Sequence, residues 1–299
     1  MNNLNSFFSS FFTHANEPSS GLYAHFKLFE AFVYGGLLYF VWIWTGILTG
    51  HTEVFHAGGL ANYLPVSFLF GSITPYLNAL LISVLLACGY FRWKPKITLS
   101  LALLLIHLHY VARYSLGKLP HDTVFLGMAL MGFVLGVWFF EKPAERIKFV
   151  FTFILFFMGF GYTISGIVKI IGTMIISPWS IWADGYHLWM WIISRQTSMV
   201  SATGIYSLNF LQDLALQSWF LATAMLSYGL IAELCGFLLW FDRTRWIIAT
   251  ALIGLHLGIG VVMSLFFVPF ILQIVVTSYR WDLPLNKPPL PFEFFKKLT

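Results

Sequence analysis

The sequence predicts an all-α, polytopic membrane helix bundle of about eight transmembrane helices with an interfacial helix on the outer side. Three observations predict it. The first is composition: 59% of the 299 residues are hydrophobic and 10% are charged, whereas a soluble domain carries about 25% charged residues. The second is a set of apolar runs long enough to span a bilayer, at about 29–49, 75–91, 97–115, 122–140, 149–172, 216–241 and 246–266, with a shorter one at about 267–279. The third is the placement of basic residues. With eight spans and the N-terminus inside, Lys27, Arg92, Lys94, Lys96, Lys142, Arg146, Lys148, Arg243, Arg245, Arg280, Lys287, Lys296 and Lys297 fall inside, while Arg113, Lys118, Lys169 and Arg195 fall toward the outer half. That bias is the positive-inside pattern of a multi-pass cell-membrane protein with both termini cytoplasmic.

Taken in order, residues 1–24 form an interfacial segment whose Phe pairs touch the membrane surface, without the basic start and small-residue cleavage site of a signal peptide. Residues 25–279 hold the transmembrane domain. The seventh and eighth spans are separated by a break near Ser264–Pro269, because proline disturbs helices. Residues 280–299 read as a short cytoplasmic tail. Inner connections such as FRWKPK are short, and the outer ones, about 50–74 and 173–215, are long and aromatic. The second of these carries Trp179, Trp182, Trp189 and Trp191 with Asp184 and His187. Tryptophan favours the interface, so this stretch predicts a helix lying on the outer leaflet, placed to cover the mouth of the bundle. The net charge of +5 is spread through short loops, which speaks of topology and not of nucleic acid. Cys88 and Cys235 lie in apolar runs and read as small core residues.

The chemistry concentrates around Lys169. A charge inside an apolar run costs about 2.5–3.5 kcal/mol on insertion scales and needs a partner or a water-filled cavity; the plain alternative is a lysine that snorkels to the interface. Tyr162, Ser165 and Lys169 are spaced i, i+3, i+7 and share one helix face. Depth counted at about 1.5 Å per residue puts Lys169 in the outer third of its span, His107 and His109 past the midplane, and His121 at the outer face. His256 falls about halfway along the seventh span. An outward-opening cavity would satisfy these groups together. His107 and His109 are two residues apart, so at most one of them points inward. Glu233, counted as deep on the inner side, reads as pairing with a neighbouring helix apart from this cluster. No two histidines have the i, i+4 spacing of metal ligands, and no metal site is expected.

Tyr162-Thr-Ile-Ser165-Gly166-Ile-Val-Lys169 followed by Trp182-Ala-Asp184-Gly185-Tyr186 resembles a motif pair of the vitamin K-dependent γ-glutamyl carboxylases and of the wider bacterial HTTM (horizontally transferred transmembrane) family. The stretch from Gly236 to Arg245, with His256 beyond it, is similar to a second block, and Gly117–Asp122 to a third. The resemblance covers roughly residues 25–279 and implies a stand-alone HTTM-like domain. It implies that Lys169 acts as a general base toward a reduced, vitamin K-like quinone, an epoxidase or carboxylase type of chemistry, with His121 and His256 beside it as catalytic groups. Tyr162, Ser165, His109, Trp182, Asp184 and Tyr186 would then contact substrate. A base of this kind has to be neutral near pH 7, which apolar surroundings favour in a lysine. A secreted peptide or a membrane protein would be the target, with membrane lipid around it. A second reading keeps the cavity and drops the catalysis: a membrane factor that binds a peptide or lipid for maturation or export. Leu257-Gly258-Ile259-Gly260 stand where the carboxylases carry polar groups, so carboxylation itself is not expected.

Overall fold

The computed structural model describes residues 2–9, 11, 19–51, 63, 66–71, 73–116, 124–176, 181–279 and 281. Among them the chain is all-helical, without a strand. The helices are α1 (Asn2–Ser9), α2 (Ser20–Thr49), α3 (Thr74–Tyr90), α4 (Pro95–Tyr114), α5 (Val124–Phe139), α6 (Pro143–Ile176), α7 (Gly185–Thr203), α8 (Phe210–Gln217), α9 (Trp219–Leu234), α10 (Asp242–Met263) and α11 (Val268–Ser278). Five of the helical segments are long and apolar enough to cross a membrane: α2, α4, α6, α10, and α9 with the 3-10 turn Cys235–Trp240 that continues it. The other three apolar runs form the shorter helices α3, α5 and α11, of 17, 16 and 11 residues. At about 1.5 Å per residue α11 is too short to span alone.

Local chemistry sets the boundaries. Ser19 caps α2 by accepting the Leu22 N–H, and Ser218 caps α9 by accepting that of Leu221. Asn209 and Gln212 form a reciprocal capping box on α8. Pro75 and Pro95 stand in the first turns of α3 and α4, where a missing N–H costs nothing. The break expected near Ser264–Pro269 is present. α10 stops at Ser264, whose φ is 56°, and α11 restarts with Pro269 in its first turn.

The chain folds as two compact units, one of residues up to Phe7 with Leu155–Tyr279, the other of Phe8–Ile154 with Trp281. In the N-terminal unit α2, α3, α4 and α5 pack on one another, with Phe26, Phe29 and Phe133 among the buried aromatic contacts. In the C-terminal unit α7 packs on α9 through Leu188 and Ile192, which join Ala222, Leu226, Leu230 and Val262 in one core. Gly185 donates its N–H to Thr223 Oγ1 at 2.9 Å, and the Trp189 indole donates to the Ala215 carbonyl at 2.6 Å. The helix expected to lie on the leaflet is thus pinned to α8 and α9.

The same unit holds α6 against the end of α9 by glycine contacts. A side chain at Gly236 would stand 2.6 Å from the Tyr162 Cβ, and one at Gly166 would stand 3.0 Å from the Leu234 backbone nitrogen. Small residues of this kind let membrane helices approach closely. Thr163 adds to the contact, its Oγ1 accepting the Phe237 N–H at 2.8 Å. This close approach sets which residues of α6 and α9 face each other.

Candidate functional site

Because α6 and α9 run antiparallel in this register, Lys169 meets Glu233. The Lys169 ammonium donates to both carboxylate oxygens at 2.5 Å, and the Ser165 hydroxyl donates to Oε1 at 3.4 Å. The Glu233 side chain is 8% exposed and that of Lys169 28%. The sequence count set Glu233 apart from Lys169, and the structure corrects it. The count placed each residue along its own span; the glycine contacts set the level at which the two helices meet and bring these residues opposite each other. A buried carboxylate is as costly as a buried ammonium, so the two intramembrane charges were a signal for each other.

Trp182 comes from the segment before α7 and lays its ring over Lys169, 4.7 Å from Nζ to the ring centroid. The ammonium is therefore bound on one side by a carboxylate and on another by an aromatic face, which attracts a cation through its quadrupole. Two open cavities of about 460 Å³ and 680 Å³ meet here, and Lys169, Trp182, Leu226, Ile259 and Met263 line both. The first continues along α9 and α10 past Met225, Tyr228, Gly254 and Gly258, and its wall is almost wholly apolar. The second runs past Thr173, His187 and Trp191 to Phe267. Lys169 is the charged residue in both linings.

The other expected site residues separate. Tyr162 and His256 form a pair of their own, phenol oxygen to Nε2 at 2.6 Å, and both are buried. Phe267 and Phe270 pack on the imidazole, whose Nδ1 has no hydrogen-bond partner among the described residues. Neither residue is part of the cavity linings. Asp184 is the N-cap of α7, its Oδ1 accepting the Tyr186 N–H at 3.0 Å and the Trp219 indole N–H at 2.8 Å. These two donors hold its carboxyl below the usual range for an aspartate. Tyr186 is exposed and stands edge-on to Trp189. Asp184 and Tyr186 thus build the α7 start and leave the cavity wall to Trp182. His109 belongs to the N-terminal unit, fully buried, with Asn78 at 3.0 Å and Thr45 at 3.4 Å on its two ring nitrogens. As the two-residue spacing requires, His107 faces the other way and is exposed. His121 lies outside the described residues. No group of three or more metal-ligating side chains is found among the described residues.

Compared with protein-family models, with curated proteins and with solved structures, the chain matches none.

Proposed function

We propose that this is a membrane-embedded binding protein whose C-terminal unit takes an amphipathic, lipid-like molecule. The apolar body of that molecule lies along α9 and α10, and its polar end meets Lys169. The observation that carries this reading is a single ammonium, held by Glu233 and Trp182, at the junction of two cavities whose walls are otherwise largely apolar. Binding sites for small molecules have this make-up, an apolar enclosure with a few placed polar groups. In this reading the short helices α3, α5 and α11 complete an eight-crossing bundle with both ends cytoplasmic. The chain then serves as a factor for maturation or export of a peptide or lipid.

The ion pair favours binding over base catalysis. A lysine whose amine is held by a carboxylate is an ammonium, and an ammonium takes no proton. A catalytic reading, in keeping with the HTTM-like motif, rests on the same contact, in which the Glu233 carboxylate stands within hydrogen-bond reach of the lysine's protons. The donor set also fits a reduced quinone. Its ring would lie against the apolar wall, and its hydroxyl can pair with Lys169. Such a group, when bound, would supply the oxidisable hydroxyl, and Lys169 would hold the proton.

The test is photocapture of a diazirine-bearing quinol analogue by the protein in nanodiscs, read as adducts on Met225 and Met263. Capture should be competed by the unlabelled quinol and lost in Gly258→Trp, since open space stands where that side chain would go. Lys169→Met should lose it as well, and Lys169→Arg should keep it. Capture that neither Gly258→Trp nor Lys169→Met diminishes would sink the binding site. Oxidation of the quinol by dissolved oxygen that the wild type accelerates and Lys169→Arg does not would establish the catalytic reading, because arginine cannot act as the base.

A further inference from the structure

The N-terminal unit holds a separate cavity of about 310 Å³ between α2, α4 and α5, and two of its lining residues, His107 and Tyr110, are polar. His107 and Tyr110 sit three residues apart on α4, so they share a face. Neither side chain makes a hydrogen bond with another described residue. The rest of the wall is apolar, with Phe40 and Trp44 from α2 and Met128 and Met131 from α5. His107 lies twelve residues past Pro95, about 18 Å along the helix and so well within the hydrocarbon depth of a bilayer. Water does not satisfy polar groups at that depth. The histidine side chain is also too short to snorkel as a lysine would.

We infer that this cavity is a second intramembrane site, for a flat ring lipid that carries a carbonyl or hydroxyl oxygen. The inference does not rest on the Lys169 cavity. Each part of the wall points to the same chemistry. The faces of Trp44, Tyr110 and Phe40 suit a planar ring, which stacks on aromatic side chains. Met128 and Met131 are flexible and polarisable enough to close around it. The imidazole N–H and the phenol O–H, one helical turn apart, supply hydrogen bonds for the oxygen. A plain acyl chain would fill the same volume and leave both groups unpaired. His109, two residues on, is already satisfied by Asn78 and Thr45, so its ring makes no demand on the cavity.

The probe is a para-dodecyl benzophenone, an aryl ketone with planar rings on either side of the carbonyl, whose excited carbonyl abstracts hydrogen from neighbouring side chains. With the full chain in nanodiscs, adducts should map to Met128 and Met131. Removing both donors with His107→Leu and Tyr110→Phe should lower capture about tenfold, the effect of a lost hydrogen bond of typical strength. His107→Gln keeps an N–H and should retain capture, which guards against a merely structural loss. Gly127→Phe, where open space stands in place of a side chain, should abolish it. Gly258→Trp in the other unit should leave it unchanged, so this inference and the proposed function fail separately. Two results overturn the inference. One is undiminished capture in the His107→Leu, Tyr110→Phe variant. The other is competition by ordinary phospholipid, with equal labelling of Met128 by a phospholipid carrying a diazirine in its acyl chain.

Discussion

Among the described residues two lysine–glutamate pairs are buried or half-buried at both partners, and their surroundings are opposite. In the N-terminal unit Lys27 meets Glu30 at 2.8 Å, with side chains 2% and 0% exposed. Both Glu30 oxygens are saturated: Arg92 donates to each, at 2.8 Å and 3.0 Å, and the Tyr34 hydroxyl donates to Oε1 at 3.1 Å. Lys27 adds a bond to the Tyr90 carbonyl and a cation–π contact with the Tyr90 ring. In the C-terminal unit the carboxylate of Glu233 has Lys169 and a long contact from Ser165, and the lysine opens onto two cavities. The first pair is a strut, and the second is a site. Burial of charge alone does not tell them apart. What does is how many donors the carboxylate already has and whether the ammonium faces open space.

The largest effect expected from this contrast is on stability. Glu30→Ala leaves Lys27 and Arg92 without their carboxylate and should destabilise the protein by about 3–5 kcal/mol, the usual result of breaking a buried ion pair. Arg92 and Lys94 hold left-handed backbone, φ 61° and 42°, which non-glycine residues adopt only under constraint. The α3–α4 turn should therefore loosen in the same variant. Glu233→Gln should cost less, about 1–3 kcal/mol, because the Lys169 side chain is 28% exposed where that of Lys27 is 2% exposed. Thermal unfolding of both variants in one detergent compares them. Equal losses would erase the distinction between strut and site.

That distinction was only half legible in the sequence. Lys169 stands out because it interrupts an apolar run, whereas Lys27 sits near the start of one and reads as an inner-face charge. Glu30, three residues on, was the overlooked signal. The break near Ser264–Pro269 was legible because proline is a local signal. The pairing of Lys169 with Glu233 was not, since it depends on how far two helices slide before Gly166 and Gly236 lock them. Trp182 reads from the sequence as an interfacial residue and, through the resemblance, as a substrate contact; the turn into α7 brings its ring over the ammonium. Periodicity reports which face of a helix is apolar; it does not report the level at which two helices meet.

A smaller effect tests the boundary of the site. Tyr162→Phe removes the hydrogen bond to His256 and should cost about 1 kcal/mol, leaving the imidazole without a partner at either nitrogen among the described residues. Quinol capture at Met225 should stay as in the wild type, since the pair lies behind the cavity wall. Loss of capture along with stability would extend the site from Lys169 to His256 and bring the second pair of groups into its chemistry.

The smallest expected effect concerns the anchoring of α7, and with it the position of Trp182. Asp184 caps α7 and accepts the Trp219 indole N–H of α9, and these bonds hold its carboxyl below the ordinary aspartate value. A depressed carboxyl contributes stability that is fully present above its unfolded value, about 3.9, and is lost as pH falls through the folded value. The anchor should hold at neutral and mildly acidic pH and loosen only below about pH 4. The Trp219 indole N–H resonance reports it, shifting toward the free position as the carboxylate takes a proton. Asp184→Asn keeps an oxygen acceptor for both donors but does not titrate, so its resonance should stay flat through the same range. An acid transition that persists in Asp184→Asn would move the pH-sensitive group elsewhere. Trp182 would then owe its place over Lys169 to the packing of Leu188 and Ile192 rather than to the capped turn.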